Sequence, residues 1–458
     1  MRFSPHTSAR ALLAVTALFL ASLTAGAMTA YALYGHVPDA QAALAPRIAA
    51  QGLSDIALGT PLSRTRLWKR TLLSFVSLSL AEFELPPVSA TLTDPPAGRC
   101  GTGTPMVAGA GYPHASTSTA AIIRAAGPAT PPDRRLTIGW ALNTGSSNLI
   151  DLLSSSPGLN VLAPKWITVD GPQGQLSTCI EPQVVSRAHA RHVAVWAVVD
   201  NTFNGLLTHD YLQYRDTQDT LIRRLVKIAV QNHLNGLNLD FEDLLPVDRW
   251  NYSRFVDVLA QALHARGKTL SVDLPPDVEP GDNAGPYNHA AIAAAANDVI
   301  LMAYDEHWGG DAVAGPTAAV PWVQTGVDDM LETGVPADKL VLGVPFYTQV
   351  WTLGRDGQVE ASSALSLWQE TALLAQVKAP VRWVHSLELH FIRYTVKGVT
   401  HEIWIEDTRS LLLSLQLVAQ DGLAGAAAWY LGLERPSTWT SLVQSVHSEL
   451  VPSALALR

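Results

Sequence analysis

The chain has 458 residues, more than one small domain needs, and its 48% apolar content is enough for a large core. Its formal net charge of -9 argues against nucleic acid as a partner, since phosphate backbones select basic surfaces. Two cysteines, Cys100 and Cys179, lack metal-ligand spacing and could make at most one disulfide in an oxidising compartment.

Residues 1–35 carry an export signal. Arg2 and Arg10 precede an apolar run from Ala11 to Tyr34, about 24 uncharged residues and long enough to span a bilayer. An uncleaved membrane anchor is favoured over a signal peptide, although small-residue cleavage patterns occur at Ala25-Gly26-Ala27, Ala30-Tyr31-Ala32 and Ala40-Gln41-Ala42. Positive charge ahead of the run predicts an extracytoplasmic location for the rest of the chain, anchored or secreted. Residues 36–134 form an N-terminal region rich in Pro, Gly, Ser and Thr from about Pro86 to Pro132, which suggests a linker.

Within residues 135–450 short apolar runs recur between helical stretches. They are Leu136–Leu142, Val161–Val169, Val193–Val199, Gly236–Phe241, Thr269–Leu274, Val299–Tyr304, Leu340–Phe346 and Gly425–Tyr430. This alternation predicts a parallel (β/α)8 TIM barrel. A doubly wound open sheet is the alternative, but no glycine-rich phosphate loop follows the first run. Helices are expected at 219–232, apolar at Leu221, Leu225, Ile228 and Ala229, and at 252–264, where Gly267 follows as a stop. Between the seventh and eighth runs, residues 352–405 alternate in polarity and predict a small α+β insertion.

The fourth run is the most informative. Leu237-Asn238-Leu239-Asp240-Phe241-Glu242 has the period of a strand, so Asn238, Asp240 and Glu242 share one face. Two neighbouring carboxylates raise each other's pKa and push one toward the protonated form that a general acid needs. Barrel chemistry gathers at the carboxyl ends of the strands. Other polar and aromatic residues fall there: Asn143, Trp166, Asp170, Asp200, Asn201, Asp273, Asp277, Tyr304, Asp305, Tyr347, Trp351, Trp429 and Tyr430. Acids and aromatics on one rim suit a carbohydrate. Asp305, Glu306 and His307 are consecutive and so diverge, which makes a metal site unexpected, and no Gly-x-Ser-x-Gly elbow marks a serine nucleophile.

Asn235–Glu242 resembles the D-G-x-D-x-D-x-E signature of glycoside hydrolase family 18, the chitinase-like barrels. Leu301–Asp305 resembles the family's M-x-Y-D stretch, and Trp429 its pocket-floor tryptophan. The likeness is closest to the bacterial spore-cortex and cell-wall N-acetylglucosaminidase branch, through Asn238–Glu242, Met302–Trp308, Asp338–Tyr347 and His401–Asp407. The signature's first two aspartates are Asn235 and Asn238 here. An amide at 238 can still hydrogen-bond Asp240, which should then ionise more easily than in a chitinase.

The resemblance implies substrate-assisted retaining hydrolysis of β-linked N-acetylglucosamine glycans without a cofactor. By that resemblance Glu242 is the acid, and Asp240 and Tyr304 hold the 2-acetamido group. Asn238, Asp305, Trp429, Tyr347 and Trp166 are expected to bind substrate. The partner would be peptidoglycan or a related envelope polysaccharide, with the membrane contacted only through the N-terminal segment and the chain a monomer. A catalytically silent glycan-binding barrel, or a chitinase or exopolysaccharide hydrolase, are the competing readings.

Overall fold

Each of the eight apolar runs is a strand of one closed parallel sheet. The computed structural model describes residues 135–276 and 285–448. The export segment, the linker, Cys100 and Asp277 lie outside the described residues. In chain order the strands are β1 (Leu136–Ala141), β2 (Val161–Val169), a short β3 (Leu176–Thr178), β4 (Ala194–Asp200), β5 (Gly236–Asp240), β6 (Thr269–Leu274), β7 (Asp298–Met302) and β8 (Leu340–Pro345). After an insertion the last barrel strand, β14, is Gly425–Trp429. Neighbours run β1-β14-β8-β7-β6-β5-β4-β2, and pairing of β1 with β2 closes the barrel. Helices such as Arg215–Gln231, Arg249–His264 and Val320–Glu332 follow the strands.

Strands in such a barrel are covered on both faces, by the interior and by the helices, which is why they read as apolar runs. Leu237, Leu239 and Phe241 are fully buried. Phe241 stacks on Tyr252 and Phe255 of the Arg249–His264 helix, each at 5.9 Å between centroids. Each such side chain contributes roughly 1.5–3 kcal/mol by leaving water.

The insertion between β8 and β14 is a five-stranded antiparallel sheet in the order β10-β9-β13-β12-β11. Its strands are β9 (Tyr347–Leu353), β10 (Val359–Ser366), β11 (Arg382–Val384), β12 (Leu389–Val396) and β13 (Val399–Ile405). One helix, Leu367–Gln376, starts from a capping box of Ser366 and Gln369. The insertion starts earlier than its alternating sequence suggests, because β9 is buried on both faces. It holds a separate cluster of Val350, Leu365, Ile392, Tyr394, Ile403 and Ile405. Among the described residues no helix is long and apolar enough to cross a membrane.

Candidate active site

The register fixes which side chains enter the barrel. Residues paired across parallel strands point to the same face. Asn238 on β5 lies opposite Val198 on β4 and Ser271 on β6, and Asp240 lies opposite Asp200. Asp273, two residues beyond Ser271, shares that face. The floor is therefore polar and acidic, built from β4, β5 and β6.

Asn238 has no exposed surface. Its Oδ1 accepts from Trp140 Nε1 at 2.9 Å, and its Nδ2 donates to Ser271 Oγ at 3.0 Å and Asp273 Oδ1 at 2.6 Å. The amide thus binds Asp273, not Asp240 as expected, and lies too deep to touch a ligand. A carboxyl on β6 takes the partner position that the sequence suggested for Asp240. Asn235 lies at the opposite end of β5, where its Oδ1 accepts from the Val195 amide at 2.8 Å, so its departure from aspartate leaves the rim untouched.

β5 ends at Asp240, and Glu242 stands beyond it, before Asp243 at φ 53. The strand face inferred through residue 242 is cut short there. Asn201 holds the turn instead, donating from Nδ2 to the Glu242 carbonyl at 2.7 Å and accepting the Glu242 amide at 3.0 Å on Oδ1. The Tyr287 hydroxyl donates to the Phe241 carbonyl at 2.9 Å.

Burial raises the Asp240 pKa to about 6 against the opposing pull of Lys165, and a hydrogen bond from Glu242 to Asp240 favours the ionised form of Asp240. Burial first, and then the charge on Asp240, push Glu242 well above the usual carboxylate range. Asp240 Oδ1 and Glu242 Oε1 are buried without a hydrogen-bond partner in the protein. Polar atoms left so are costly unless something else meets them.

Aromatic rings surround this pair. Tyr304 stacks on Trp429 at 6.4 Å and 20°, and both meet Trp140 edge-on, at 6.4 Å and 5.6 Å. Trp429 keeps part of its surface open. Tyr347, the first residue of β9, meets Tyr304 at 6.3 Å and donates its hydroxyl to Asp305 Oδ1. Burial lifts Asp305 to about 6.

Glu242, Asp240, Tyr304, Asp305, Trp429 and Tyr347 therefore converge. Trp166 does not join them. It lies at a β-bulge in β2, 2% exposed, among core side chains, so it offers no stacking face. Trp351 is likewise fully buried, its Nε1 donating to the Gly315 carbonyl at 2.8 Å. Asp305, Glu306 and His307 diverge: Glu306 accepts the Ala319 amide at 2.8 Å, and His307 Nδ1 lies 3.2 Å from Asp311. Among the described residues no group of three or more His, Cys, Asp or Glu side chains is placed to hold a metal ion.

Lys165 and the Asn238–Asp273 contact have no signal in the sequence, and Asn201, though placed at the rim there, shows no sign of its grip on Glu242. Asp273 is placed at the rim by the sequence, and Ser271-Val272-Asp273 has the same two-residue period as Asn238-Leu239-Asp240.

Residues 198–434 match the model of the glycosyl hydrolases family 18. The chain belongs to glycoside hydrolase family 18. Similar proteins include the uncharacterized glycosylase YvbX of Bacillus subtilis, 27% identical over 321 residues, 67% of this chain and 90% of that one. The cortical fragment-lytic enzyme of the same organism is 28% identical over 268 residues, which cover 56% of this chain and 61% of the relative. The chain thus spans less than two thirds of that enzyme. Two solved structures share the fold. A chitinase from Chromobacterium violaceum is 26% identical with a TM-score of 0.62, covering 69% of this chain and all (100%) of the other. The Bacillus megaterium spore cortex-lytic enzyme SleL is 25% identical with a TM-score of 0.61, covering 69% and 75%.

Proposed function

We propose that this family 18 barrel is an exported hydrolase of β-linked N-acetylglucosamine glycans, with peptidoglycan or a related envelope polysaccharide as substrate. The observation that carries the reading is the Asp240–Glu242 pair, with one buried unpartnered oxygen on each carboxyl, under the rings of Tyr304 and Trp429. The extracytoplasmic location rests on the Arg2–Tyr34 sequence and on relatives named for lysis of spore cortex.

In the proposed reaction the 2-acetamido oxygen of the sugar attacks its own anomeric carbon, so no protein nucleophile is required. Glu242, kept protonated by burial and by Asp240, delivers its proton to the leaving oxygen and then takes one from water. Asp240 in its ionised form accepts the acetamide N–H and stabilises the positive charge that develops on the ring it forms. The Tyr304 hydroxyl orients the acetamide, with Asp305 and Tyr347 as a hydrogen-bonded wall beside it. Trp429 is the apolar floor. Asn238 acts from beneath, fixing Asp273 and Trp140.

Hydrolysis of chitin oligomers and purified wall sacculi, followed by mass spectrometry, tests this. Product release is expected from wild type. Glu242→Gln should turn over at least on the order of 10²-fold more slowly while still binding oligomers. Glucose analogues lacking the acetamide should be inert. Binding of sacculi without product, by the wild type, would favour a silent glycan-binding barrel.

A further inference from the structure

We propose that Lys165 is a positioning residue of the hydrolytic reaction, its ammonium group anchored on Asp200 as the counter-charge that keeps Asp240 ionised beside the acid Glu242. The proposal rests on the hydrolase reading above and concerns how that site is tuned.

A lysine inside a barrel needs a reason, because an ammonium group is strongly hydrated and costly to bury alone. Register supplies the geometry. Lys165 pairs with Val198, Ile167 with Val199 and Thr168 with Asp200, so one extra residue, Trp166, is inserted in β2. Val198 shares its face with Asn238, and Asp200 shares its face with Asp240. The bulge therefore turns both Lys165 and Thr168 inward, whereas strict alternation would send one of them to the helices. Lys165 Nζ lies 3.8 Å from Asp200 Oδ1, and Thr168 Oγ1 donates to Asp200 Oδ2 at 2.9 Å. The Thr202 amide also donates to Asp200 Oδ1, at 3.0 Å. Asp200 is thus fixed by two hydrogen bonds and holds the ammonium in place.

The charges around the acid pair come from every side of the floor. Asp200 faces it from β4, Asp273 from β6 and Asp305 from the segment after β7, with the Tyr304 and Tyr252 hydroxyls nearby. β1 and β14 contribute Trp140 and Trp429, which carry no charge. Among the described residues, Lys165 is the cation that acts on both Asp240 and Glu242, and it favours the charged form of each. Without it, burial and the charge on Asp200 would drive Asp240 toward the neutral form, and a neutral Asp240 cannot stabilise a positive intermediate. Lysine thus sets the lower pH limit of activity through Asp240, and the upper limit through Glu242.

Opposite substitutions should therefore move the profile in opposite directions. With an aryl glycoside of an N-acetylglucosamine oligomer and the full-length chain, Lys165→Met should shift both limbs of the kcat/KM profile upward by roughly one pH unit. Asp200→Asn removes an anion that acts on Asp240 and should shift the acid limb downward, and Lys165→Arg should keep the wild-type position. Carbon-13 NMR titration of labelled Asp and Glu carboxyls gives a readout that needs no turnover, and the same ordering is expected there. Unmoved titrations in Lys165→Met overturn the proposal. A KM increase confined to substrates bearing a carboxylate, with both limbs in place, overturns it in favour of substrate recognition. Absence of wild-type turnover rejects the hydrolase reading, while the NMR titrations still decide the role of Lys165.

Discussion

Glu242 lies past the last paired residue of β5, so the barrel ladder does not fix its backbone. Asn201 does, through one donated and one accepted hydrogen bond, while its Nδ2 also donates to Thr208 Oγ1 at 2.9 Å. A side chain that grips the peptide of a reacting residue controls its aim more than its affinity for ligand. Asn201→Ala should therefore lower kcat by roughly 10–100-fold with little change in KM, since small misplacements of reacting groups are expensive. Steady-state kinetics checks this, and an equal change in both parameters would assign Asn201 to binding. The residue types at this site were legible in the sequence because period-two alternation exposes Asn238, Asp240 and the neighbouring acids. Their partners were not. The contact from Asn238 to Asp273 crosses between strands, and the placing of Thr168 on the same face as Lys165 depends on a bulge that no two-residue period reveals.

At the scale of elements, the eight strands could be read because each is covered on both faces and so is continuously apolar. Their ends were less clear: the fourth run continues to Phe241 in apolar pattern, yet pairing stops at Asp240. The turn beyond it is packed tightly against the Gly205–Leu212 helix. A Cβ placed on Gly205 would lie 2.1 Å from the Asp243 carbonyl oxygen, a backbone atom with little room to yield. Gly205→Ala is accordingly expected to displace the Phe241–Asp243 turn, lowering both the melting temperature and kcat. Gly267, at φ 63 with open space around its Cβ position, provides a comparison. Gly267→Ala should cost stability by backbone strain alone and leave kcat near wild type. Equal kinetic losses in the two variants would show that general destabilisation, not the turn, is responsible. The His401–Asp407 stretch, part of the family resemblance, proves to be scaffolding. Asp407 caps the Thr408–Gln420 helix, and buried Glu406 accepts the Ala318 amide at 3.2 Å.

For the molecule as a whole, the unusual feature is the number of carboxyls held out of water. Burial lifts Asp298 and Glu306 to about 7 and Glu370 to about 8, the last despite Arg435 at 2.6 Å. Unfolded, these groups titrate near 4. The folded state thus keeps protons that the unfolded state has released. This stabilisation is complete below the unfolded values and is lost as pH rises through the folded ones. His289, lowered to about 4 by burial, works the opposite way but only below its unfolded value of about 6.5. The window from pH 6.5 to 8 is therefore governed by the carboxyls. The melting temperature should fall across it, and Glu370→Gln should flatten that fall. Thermal melts at several pH values measure this, and a rise toward pH 8 would contradict it.

The aromatic wall beside Asp305 has two owners. Tyr304 belongs to the barrel, but Tyr347 opens a sheet with an apolar nucleus of its own. Half of that wall is thus lent by a tenant module. Any loosening of those five strands would slacken the grip on Asp305 while leaving the eight-stranded host and its acid pair intact.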